Sequence, residues 1–464
     1  MKPFVLSLFF VFVSSLFLNG QENEEQARLT FHRKPAPLPK GAVTSDWPRF
    51  LGPTDNASIK ESPLREDLGN GLPLVWELRK GTGYTCPAIV GDRLVFFHRL
   101  GDEEKIECRN PESGRLLWEQ SYGVDYQDRY GYNNGPRSSP VIGDGLVFTL
   151  GVRSMLTCCE LATGKKLWQR DLGKEYEVPA HFFGNGSSPL LLDGRLILNV
   201  GGTRKKECVV AFDPRTGEEQ WVARNSWGTS YASPLAGTVH GKSRVLVFAG
   251  GESRPSTGGL LHLDPSTGKV ASTFPWRARK YESVNAASPV LVDNRVFISE
   301  TYGAGGIALD IGEDGSMKEA WRAKRFGVHW MTPVHADGYL YGVDGRHDLQ
   351  AQVVCYDWKT GRERWRKDLS WTDQVDGAER NGGFLRGSLL RIGNRFLGLG
   401  ELGDLLWLDL SPEGCQILSR VKLFEARETW TLPALSKGLL YVSQHYRTRE
   451  KQPRLLCYDL RPSS

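Results

Sequence analysis

Short apolar segments alternate with turn residues along most of this chain. A typical stretch begins with a small residue and proline, continues as an apolar segment, turns at a sequence such as GDR, GDG or LDGR, and resumes as LVFF, LVFTL or LILNV. Apolar runs of this length between Gly and Asp residues are typical of β-hairpins. No part of this region has the apolar spacing of an amphipathic helix, so the pattern predicts an all-β protein.

The dipeptide that opens each stretch recurs along the sequence. It consists of a residue followed by proline in seven places, and the seventh repeat has Gly387-Ser388 instead. The seven proline-containing copies are Cys86-Pro87, Ser139-Pro140, Ser188-Pro189, Ser233-Pro234, Ser288-Pro289, Thr332-Pro333 and Leu432-Pro433.

A second motif follows each pair of predicted strands. Four copies span eleven residues, with an acidic or amide residue third, Gly seventh and Trp last: Cys108 to Trp118, Cys158 to Trp168, Ala211 to Trp221 and Cys355 to Trp365. Weaker copies extend the series to eight, at intervals of 46 to 53 residues. The third position is occupied by Asn110, Glu160, Asp213, Asp264, Asp310, Asp357, Asp409 and Asp459.

The chemistry of this motif predicts a hairpin. An Asx side chain accepts backbone N–H groups two or three residues later, and Gly supplies the positive φ at which the chain reverses. The Trp then lies in the returning strand, where its ring can pack against a neighbouring sheet. Four strands in each repeat of about fifty residues predict a β-propeller blade. Eight repeats therefore predict eight blades.

The two ends of the chain predict how the ring closes. The eighth repeat ends after its third strand, whereas Trp76 stands eleven residues before Pro87, in the position of the final Trp of a repeat. We therefore predict an all-β, eight-bladed β-propeller of four-stranded antiparallel blades over residues 46–464, closed by an N-terminal strand around Trp76. Such closure leaves no unpaired sheet edge in the ring.

The N-terminus predicts export. A single Lys, an apolar run from Phe4 to Leu18 and a polar continuation are typical of a secretory signal peptide over residues 1–20, with an uncleaved anchor as the alternative. Residues 21–45 are expected to form a flexible Pro-rich tether. We expect a periplasmic or extracellular protein without a transmembrane span in its mature form.

Charge and cysteine content narrow the function classes. The net charge is +5 and the basic residues are scattered along the sequence, which gives no support to nucleic-acid binding.

Cys158 occupies the same repeat position as Cys108, Cys355 and Cys457, and strand alternation places Cys159 on the opposite face. The adjacent pair is therefore expected to be two core thiols rather than a vicinal disulfide. No zinc-ligand spacing, G-x-S-x-G motif or phosphate-binding loop occurs.

The eleven-residue motif with D-x-x-T-G and a final Trp resembles the tryptophan-docking motif of the pyrroloquinoline-quinone (PQQ) repeat propellers. DWPRFLGP, Asp46 to Pro53, resembles the lead-in of many secreted bacterial members. That family includes PQQ- and calcium-dependent dehydrogenases, some of which have a disulfide between adjacent cysteines at the cofactor. It also includes non-catalytic propellers such as the accessory lipoprotein of the outer-membrane β-barrel assembly machinery. The resemblance predicts the fold but does not decide between these activities.

The innermost strand of each blade faces the axis, so residues just before the Ser-Pro dipeptides are the candidates for an axial binding pocket. No Asp stands closest to these strands, which weakens a calcium site with a catalytic base; Glu282, Glu379 and Glu428 lie slightly farther out. The same residues can instead plug the axis or satisfy loop carbonyl groups. The candidates are Tyr84, Arg137, Asn185, Tyr231, Asn285, His329, Trp330, Arg386 and Trp430.

Two long linkers, from Trp118 to Pro140 and from Trp365 to Ser388, interrupt the repeat period and are expected to be binding loops. The first contains several Tyr residues, which suit a contact surface but also a loop packed over the disc.

We therefore expect an exported, non-catalytic propeller that binds a protein, polysaccharide or small ligand, with no cofactor. The alternatives are a PQQ- and calcium-dependent dehydrogenase of alcohols, aldehydes or sugars and, with less support, a glycosidase, for which no axial carboxylate pair is present.

Overall fold

The computed structural model describes residues 27–281, 283–347, 350–375, 377–445 and 452–462, and it shows eight four-stranded antiparallel blades around one axis. This arrangement confirms the predicted fold class. No strand of a blade is shorter than its innermost strand, and the innermost strands of blades 1 to 7 contact one another in sequence. The predicted signal peptide lies outside the described residues. None of the helices in the described ranges is both long and apolar enough to cross a membrane.

Every blade is built from four strands that follow one another from the axis outward. They are Ala88–Val90, Arg93–Leu100, Glu103–Arg109 and Leu116–Gly123 (blade 1); Val141–Gly143, Leu146–Leu150, Met155–Glu160 and Lys166–Asp171 (blade 2); Leu190–Leu192, Arg195–Asn199, Glu207–Phe212 and Glu219–Arg224 (blade 3); Leu235–Val239, Lys242–Ala249, Gly259–Leu263 and Val270–Pro275 (blade 4); Val290–Val292, Arg295–Glu300, Gly305–Ile311 and Met317–Ala323 (blade 5); Val334–Ala336, Tyr339–Asp344, Gln352–Asp357 and Glu363–Lys367 (blade 6); Ser388–Ile392, Arg395–Leu399, Asp404–Ser411 and Gly414–Lys422 (blade 7); and Ala434–Ser436, Leu439–Gln444, Arg454–Asp459 and Leu74–Arg79 (blade 8).

Several short elements lie outside this plan. Ser58–Ile59 pairs in parallel with the innermost strand of blade 7, and Ser370–Val375 and Ala378–Gly383 form a separate hairpin within the second long linker. A single α-helical turn covers Leu172–Glu175, and Gly52–Thr54 forms a 3₁₀ turn.

The eleven-residue motif joins consecutive blades as its chemistry predicts. The indole Nε1 of Trp118 in blade 1 donates to the carbonyl oxygen of Leu161 in blade 2, at 2.8 Å. Gly164, with φ +74°, lies against the face of the same indole, where a Cβ would come within 2.5 Å of the ring. Trp76, Trp168 and Trp221 make the equivalent hydrogen bond to the next blade. The Gly of the motif therefore has two roles: it takes the positive φ of the turn, and its lack of a side chain leaves space for the indole ring of the preceding blade.

The hydroxyl groups of the Ser-Pro dipeptides link the blades near the axis. In five successive blades the backbone N–H of the first dipeptide residue donates to the hydroxyl oxygen of its counterpart in the next blade, over distances of 2.9 to 3.1 Å. The chain of bonds runs from Cys86 through Ser139, Ser188, Ser233 and Ser288 to Thr332. Since buried N–H groups need acceptors, these hydroxyls explain why Ser or Thr occupies this position.

The ring closes as predicted, through a strand from the N-terminal part of the chain. Leu74–Arg79 pairs antiparallel with Arg454–Asp459, and Trp76 lies opposite Cys457. Leu29–Phe31, within the predicted flexible tether, pairs in turn with the strand of Trp76. This part of the tether is thus an ordered fifth strand of blade 8, because the outer edge of the Trp76 strand offers free backbone groups to it.

The lead-in segment from Asp46 to Ile59 crosses the inner strands at the end where their hairpin turns lie. Trp47, which is fully buried, forms an antiparallel bridge with Ile89 in blade 1. Farther along, the Asn56 side chain exchanges two hydrogen bonds with the backbone of His335 in blade 6. The segment therefore spans the disc from blade 1 to blades 6 and 7 and covers this end of the axis.

Candidate functional site

The opposite end of the axis is formed by loops that precede the innermost strands and by loops between second and third strands; we call this end the mouth. Seven of the nine predicted candidates join one network of ring and ion contacts there: Tyr84, Arg137, Tyr231, His329, Trp330, Arg386 and Trp430. The sequence position just before each inner strand thus brings side chains from distant repeats together.

Trp430 stands at the centre of this network. Its ring centroid lies 4.7 Å from that of Trp330, 5.4 Å from that of Tyr84 and 5.9 Å from that of Tyr132. Tyr132 belongs to the first long linker and also contacts Phe183, at 6.0 Å. The linker therefore lies over the mouth and joins its two sides, as expected of a loop packed on the disc.

Two Tyr residues of the linker remain half-exposed to solvent at the mouth. Tyr130 and Tyr132 keep 51% of their surface exposed, although Tyr130 contacts both Phe182 and Phe183. Beside them, a cleft of about 340 Å³ opens between the first linker and loops of blades 2 and 3. The mouth is consequently a filled aromatic surface with a shallow cleft at its side.

The three carboxylates that contact the central ring network, Glu401, Asp128 and Glu428, already have partners in the protein. Glu401 accepts a hydrogen bond from the indole of Trp430 at 2.8 Å and pairs with Arg386. Asp128 pairs with Arg137 at 2.5 Å, and the Tyr84 hydroxyl donates to Glu428 at 2.9 Å. Burial raises the pKa of the Glu428 carboxyl above its usual range.

His329 is held in its neutral form. Burial, together with the positive charges of Arg386 and Arg346, lowers its pKa to about 3. Its Nε2 lies 3.3 Å from the Tyr302 hydroxyl, and its ring packs against Trp330 at 4.2 Å. At neutral pH the imidazole therefore contributes a ring contact rather than a charge.

Two predicted candidates, Asn185 and Asn285, do not join the network. The side-chain amide of Asn185 donates to Ser154 at 3.2 Å, and Asn185 borders the neighbouring cleft. Asn285 is fully buried and donates to the carbonyl oxygen of Phe248 in the adjacent blade. Both amides hold loops in place, which was the structural alternative to ligand binding.

Sequence reasoning missed several aromatic residues of the mouth. Phe182 and Phe183 precede their Ser-Pro dipeptide by more residues than the candidates do, and Tyr281 and Tyr302 come from other loops of the same face. The only signal for Phe182, Phe183 and Tyr281 was their location in linkers between blades, and Tyr302 lies in the loop between the second and third strands of blade 5. Loop conformation, which the repeat does not encode, brings them to the mouth.

The residues at the mouth do not fit a PQQ and calcium site. A quinone needs a flat space between apolar walls, yet the protein's own rings pack against one another there. Calcium needs several convergent oxygens, and the described residues include no group of three or more His, Cys, Asp or Glu side chains that could hold a metal. Glu379 lies exposed on the separate hairpin beside Gln374, and Glu282 lies outside the described residues.

The adjacent cysteines lie on opposite faces of their strand. Cys158 packs with the core between blades 2 and 3, and Cys159 packs with the core between blades 1 and 2. Both thiols are buried and unpaired. Burial raises the pKa of the Cys158 thiol to about 12, so it stays protonated at neutral pH.

Proteins similar to this chain include both outer membrane protein assembly factors and quinone-dependent alcohol dehydrogenases. The chain is 27% identical over 305 residues to an outer membrane protein assembly factor BamB from Burkholderia pseudomallei, covering 63% of this chain and 68% of that protein. It is also 27% identical over 268 residues to the dehydrogenase subunit of a quinone alcohol dehydrogenase from Acetobacter aceti. That match covers 53% of this chain but only 34% of the dehydrogenase subunit.

Solved structures show the same fold in both groups. BamB from Moraxella catarrhalis aligns with a TM-score of 0.55 and 15% identity over 85% of this chain and 99% of that chain. A europium-containing methanol dehydrogenase aligns with a TM-score of 0.60 and 11% identity over 86% of this chain and 90% of that chain. The sequence model of one protein family, described as outer membrane protein assembly factor BamB, matches residues 102–370, which is more than half of the chain. The chain therefore belongs to this family of PQQ-like repeat propellers.

Proposed function

We propose that this protein is an exported, non-catalytic scaffold that binds a protein partner at the mouth of the propeller. The observation that supports this most directly is the state of the mouth itself. Its rings pack against one another, the carboxylates that contact them are held by protein partners, and two Tyr residues remain half-exposed on top. Such a surface offers contact area with polar tips, which is typical of protein interfaces.

The structure also provides reasons to prefer binding over dehydrogenation. A catalytic base must be free to accept a proton from the substrate, whereas Glu401 and Asp128 are each held by an Arg. His329 is half-buried and contacts Trp330 and Tyr302. Relatives described as outer membrane protein assembly factors support a protein as the partner, and the N-terminal sequence supports export.

The test is a titration of the purified protein with PQQ and calcium, followed by thermal unfolding and by dye reduction with alcohols, aldehydes and sugars. A ligand that binds the native state raises the melting temperature, so we expect no shift and no turnover. Cofactor-dependent turnover would overturn the proposal in favour of the dehydrogenase alternative. Glu428→Gln is the accompanying variant, because it would reduce any calcium-dependent activity that arose at the mouth.

A further inference from the structure

Arginines stack on the aromatic rings around the mouth in addition to those that form ion pairs. Arg129 lies over Phe182 at 5.1 Å, and Arg254 lies over Tyr281 at 4.1 Å. These two side chains and Arg346 are exposed, and none of the three forms an ion pair within the described ranges. Ring stacking holds each guanidinium group in place, and Arg346 also hydrogen-bonds the Tyr302 side chain. Because none of the three is paired with a carboxylate in the described ranges, their guanidinium groups can bind carboxylates of a partner.

Arg346 makes the same arrangement on the far side of the mouth. Its guanidinium lies over the ring of Tyr302 at 4.6 Å. Arg129 belongs to the linker between blades 1 and 2, Arg254 to blade 4 and Arg346 to blade 6. Because the blades follow one another around the axis, the three arginines are distributed around the mouth rather than along one groove.

The loops of the mouth face also have an excess of exposed positive charge. Among their described residues the exposed cations are Arg129, Arg153, Lys174, Arg204, Lys205, Lys206, Arg254, Arg279, Lys280, Lys324, Arg325, Arg346, Arg380 and Arg427. The exposed carboxylates of the same loops are Asp102, Asp125, Glu177, Asp368, Glu379 and Glu425. Basic residues that are scattered along the sequence are thus gathered on one face of the disc.

The opposite face has a different character. The turn between the first and second strands has an exposed Asp in five blades: Asp92, Asp144, Asp193, Asp293 and Asp337. The turns between first and second strands are thus acidic, although other turns of that face have exposed cations such as Arg115, Lys165 and Arg215; the exposed charges of the mouth loops are mostly basic. A field of one sign over one face favours partners of the opposite sign and increases their rate of association.

We propose that the mouth face binds an acidic, aromatic-containing segment of a protein partner. This inference rests on the proposed function and adds the chemistry of the partner to it. Carboxylates of the segment pair with the exposed edges of Arg129, Arg254 and Arg346, and its apolar side chains pack on Tyr130 and Tyr132. An aromatic centre with a charged rim is the usual anatomy of a protein interface.

The same arrangement is less suited to other polyanions. Sugars stack on open aromatic faces, but guanidinium groups cover faces of Phe182, Tyr281 and Tyr302. A linear polysaccharide or nucleic acid follows a groove of positive charge, whereas these arginines surround a filled centre. A folded or looped acidic polypeptide can reach all of them at once.

The experiment measures binding of a fluorescein-labelled copolymer of Glu and Tyr by anisotropy, at low ionic strength and at about 0.15 M salt. The test variant combines Arg129→Glu, Arg254→Glu and Arg346→Glu. The matched control combines Arg115→Glu, Lys165→Glu and Arg215→Glu, which reverses three exposed charges in turns of the opposite face. Thermal unfolding of both variants checks that the fold is retained.

We expect binding that weakens with salt, a loss of affinity of at least about tenfold in the mouth variant, and a change below about threefold in the control. A copolymer of Lys and Tyr should not bind. Equal effects of the two triple variants, or no binding of the Glu–Tyr copolymer, would overturn the inference. Neither result would affect the proposed function, which the PQQ and calcium titration tests separately.

Two further outcomes would also contradict an acidic protein segment. Tighter binding of heparin or of a single-stranded oligonucleotide than of the Glu–Tyr copolymer would assign the face to a different polyanion. Concentration-dependent assembly at low salt that the mouth variant abolishes would assign it to the acidic turns of a second copy of this chain.

Discussion

The Nζ of Lys80 lies 3.2 Å from the Nδ1 of His445, in the buried seam where blade 8 meets blade 1. Lys80 is 2% exposed and also approaches the carbonyl oxygens of Gly81 and Gly83. Burial lowers the pKa of Lys80 to about 7, and burial together with Lys80 lowers the pKa of His445 well below its usual range. The seam that closes the ring therefore contains an ammonium group that is costly to keep charged.

Lys80→Met should change the pH dependence of stability. Below pH 7 Lys80 is charged in both the native and the unfolded wild-type protein, so the native state bears the full free-energy cost of burying the charge. Between about pH 7 and pH 10.4 only the unfolded state keeps the proton, so the free energy of unfolding increases with pH. Stability of the wild type relative to the variant should thus rise by about 2.7 kcal/mol between pH 6 and pH 9. Urea unfolding at both pH values measures this difference. A difference that does not change with pH would contradict a buried, titrating Lys80.

Gly164→Ala tests the docking of Trp118 on the next blade. A Cβ at this position would lie 2.5 Å from the indole and would also take a positive φ. Gly145→Ala is a matched control, since Gly145 has φ +75° but nothing within 4 Å of such a Cβ. We expect about 1 kcal/mol of destabilisation in the control and about 2 kcal/mol more at Gly164. Equal losses in chemical denaturation would show that the Trp contact adds no stability.

Ser188→Ala tests the hydroxyl chain around the axis. The Oγ of Ser188 accepts the backbone N–H of Ser139 at 2.9 Å, and its removal leaves that buried donor without an acceptor. The expected cost is about 2 kcal/mol. The neighbouring Ser187 is equally buried but its Oγ has no hydrogen-bond partner, so Ser187→Ala should change the free energy of unfolding by less than about 0.5 kcal/mol. The reverse order of the two effects would contradict the assignment.

Tyr132→Ala should free the first long linker from the mouth. The ring of Tyr132 contacts both Trp430 and Phe183, so its loss breaks the link between blades 8 and 3. We expect faster amide hydrogen exchange over residues 124–139 without a change in the exchange of the blade strands. Tyr132→Phe keeps the ring and should exchange like the wild type. Unchanged exchange in the Ala variant would mean that other contacts hold the linker.

The repeat made most of the fold predictable, because each blade motif has a local physical cause. Asn110 and Asp213 accept the turn N–H groups expected of Asx residues, and Trp76 completes the last blade. The same logic located Tyr84 and Trp430 at the mouth. What a repeat encodes, in other words, is the position of a residue within a blade and hence its face of the disc.

Contacts between loops of different blades were beyond this logic. The stacking of Arg254 on Tyr281 and of Arg346 on Tyr302 depends on loop conformations that have no periodicity. The pairing of Leu29–Phe31 with the Trp76 strand was also missed, since three residues within a Pro-rich stretch have too weak a pattern to predict a strand. The distribution of charge was the feature that the sequence predicted least. The net charge of the whole sequence does not reveal that exposed cations outnumber exposed carboxylates in the loops of the mouth face.

The pairing of the Trp76 strand with Arg454–Asp459 has a consequence for the order in which the protein matures. Two segments separated by nearly the whole chain must meet before the circle exists, and bringing distant segments together is entropically slow. While the chain is being made, the edge of the Trp76 strand that later pairs with Arg454–Asp459 has no partner until the last blade is complete. Ring closure is thus expected to be a late event in folding, and until then the Trp76 strand is the segment most in need of protection from aggregation.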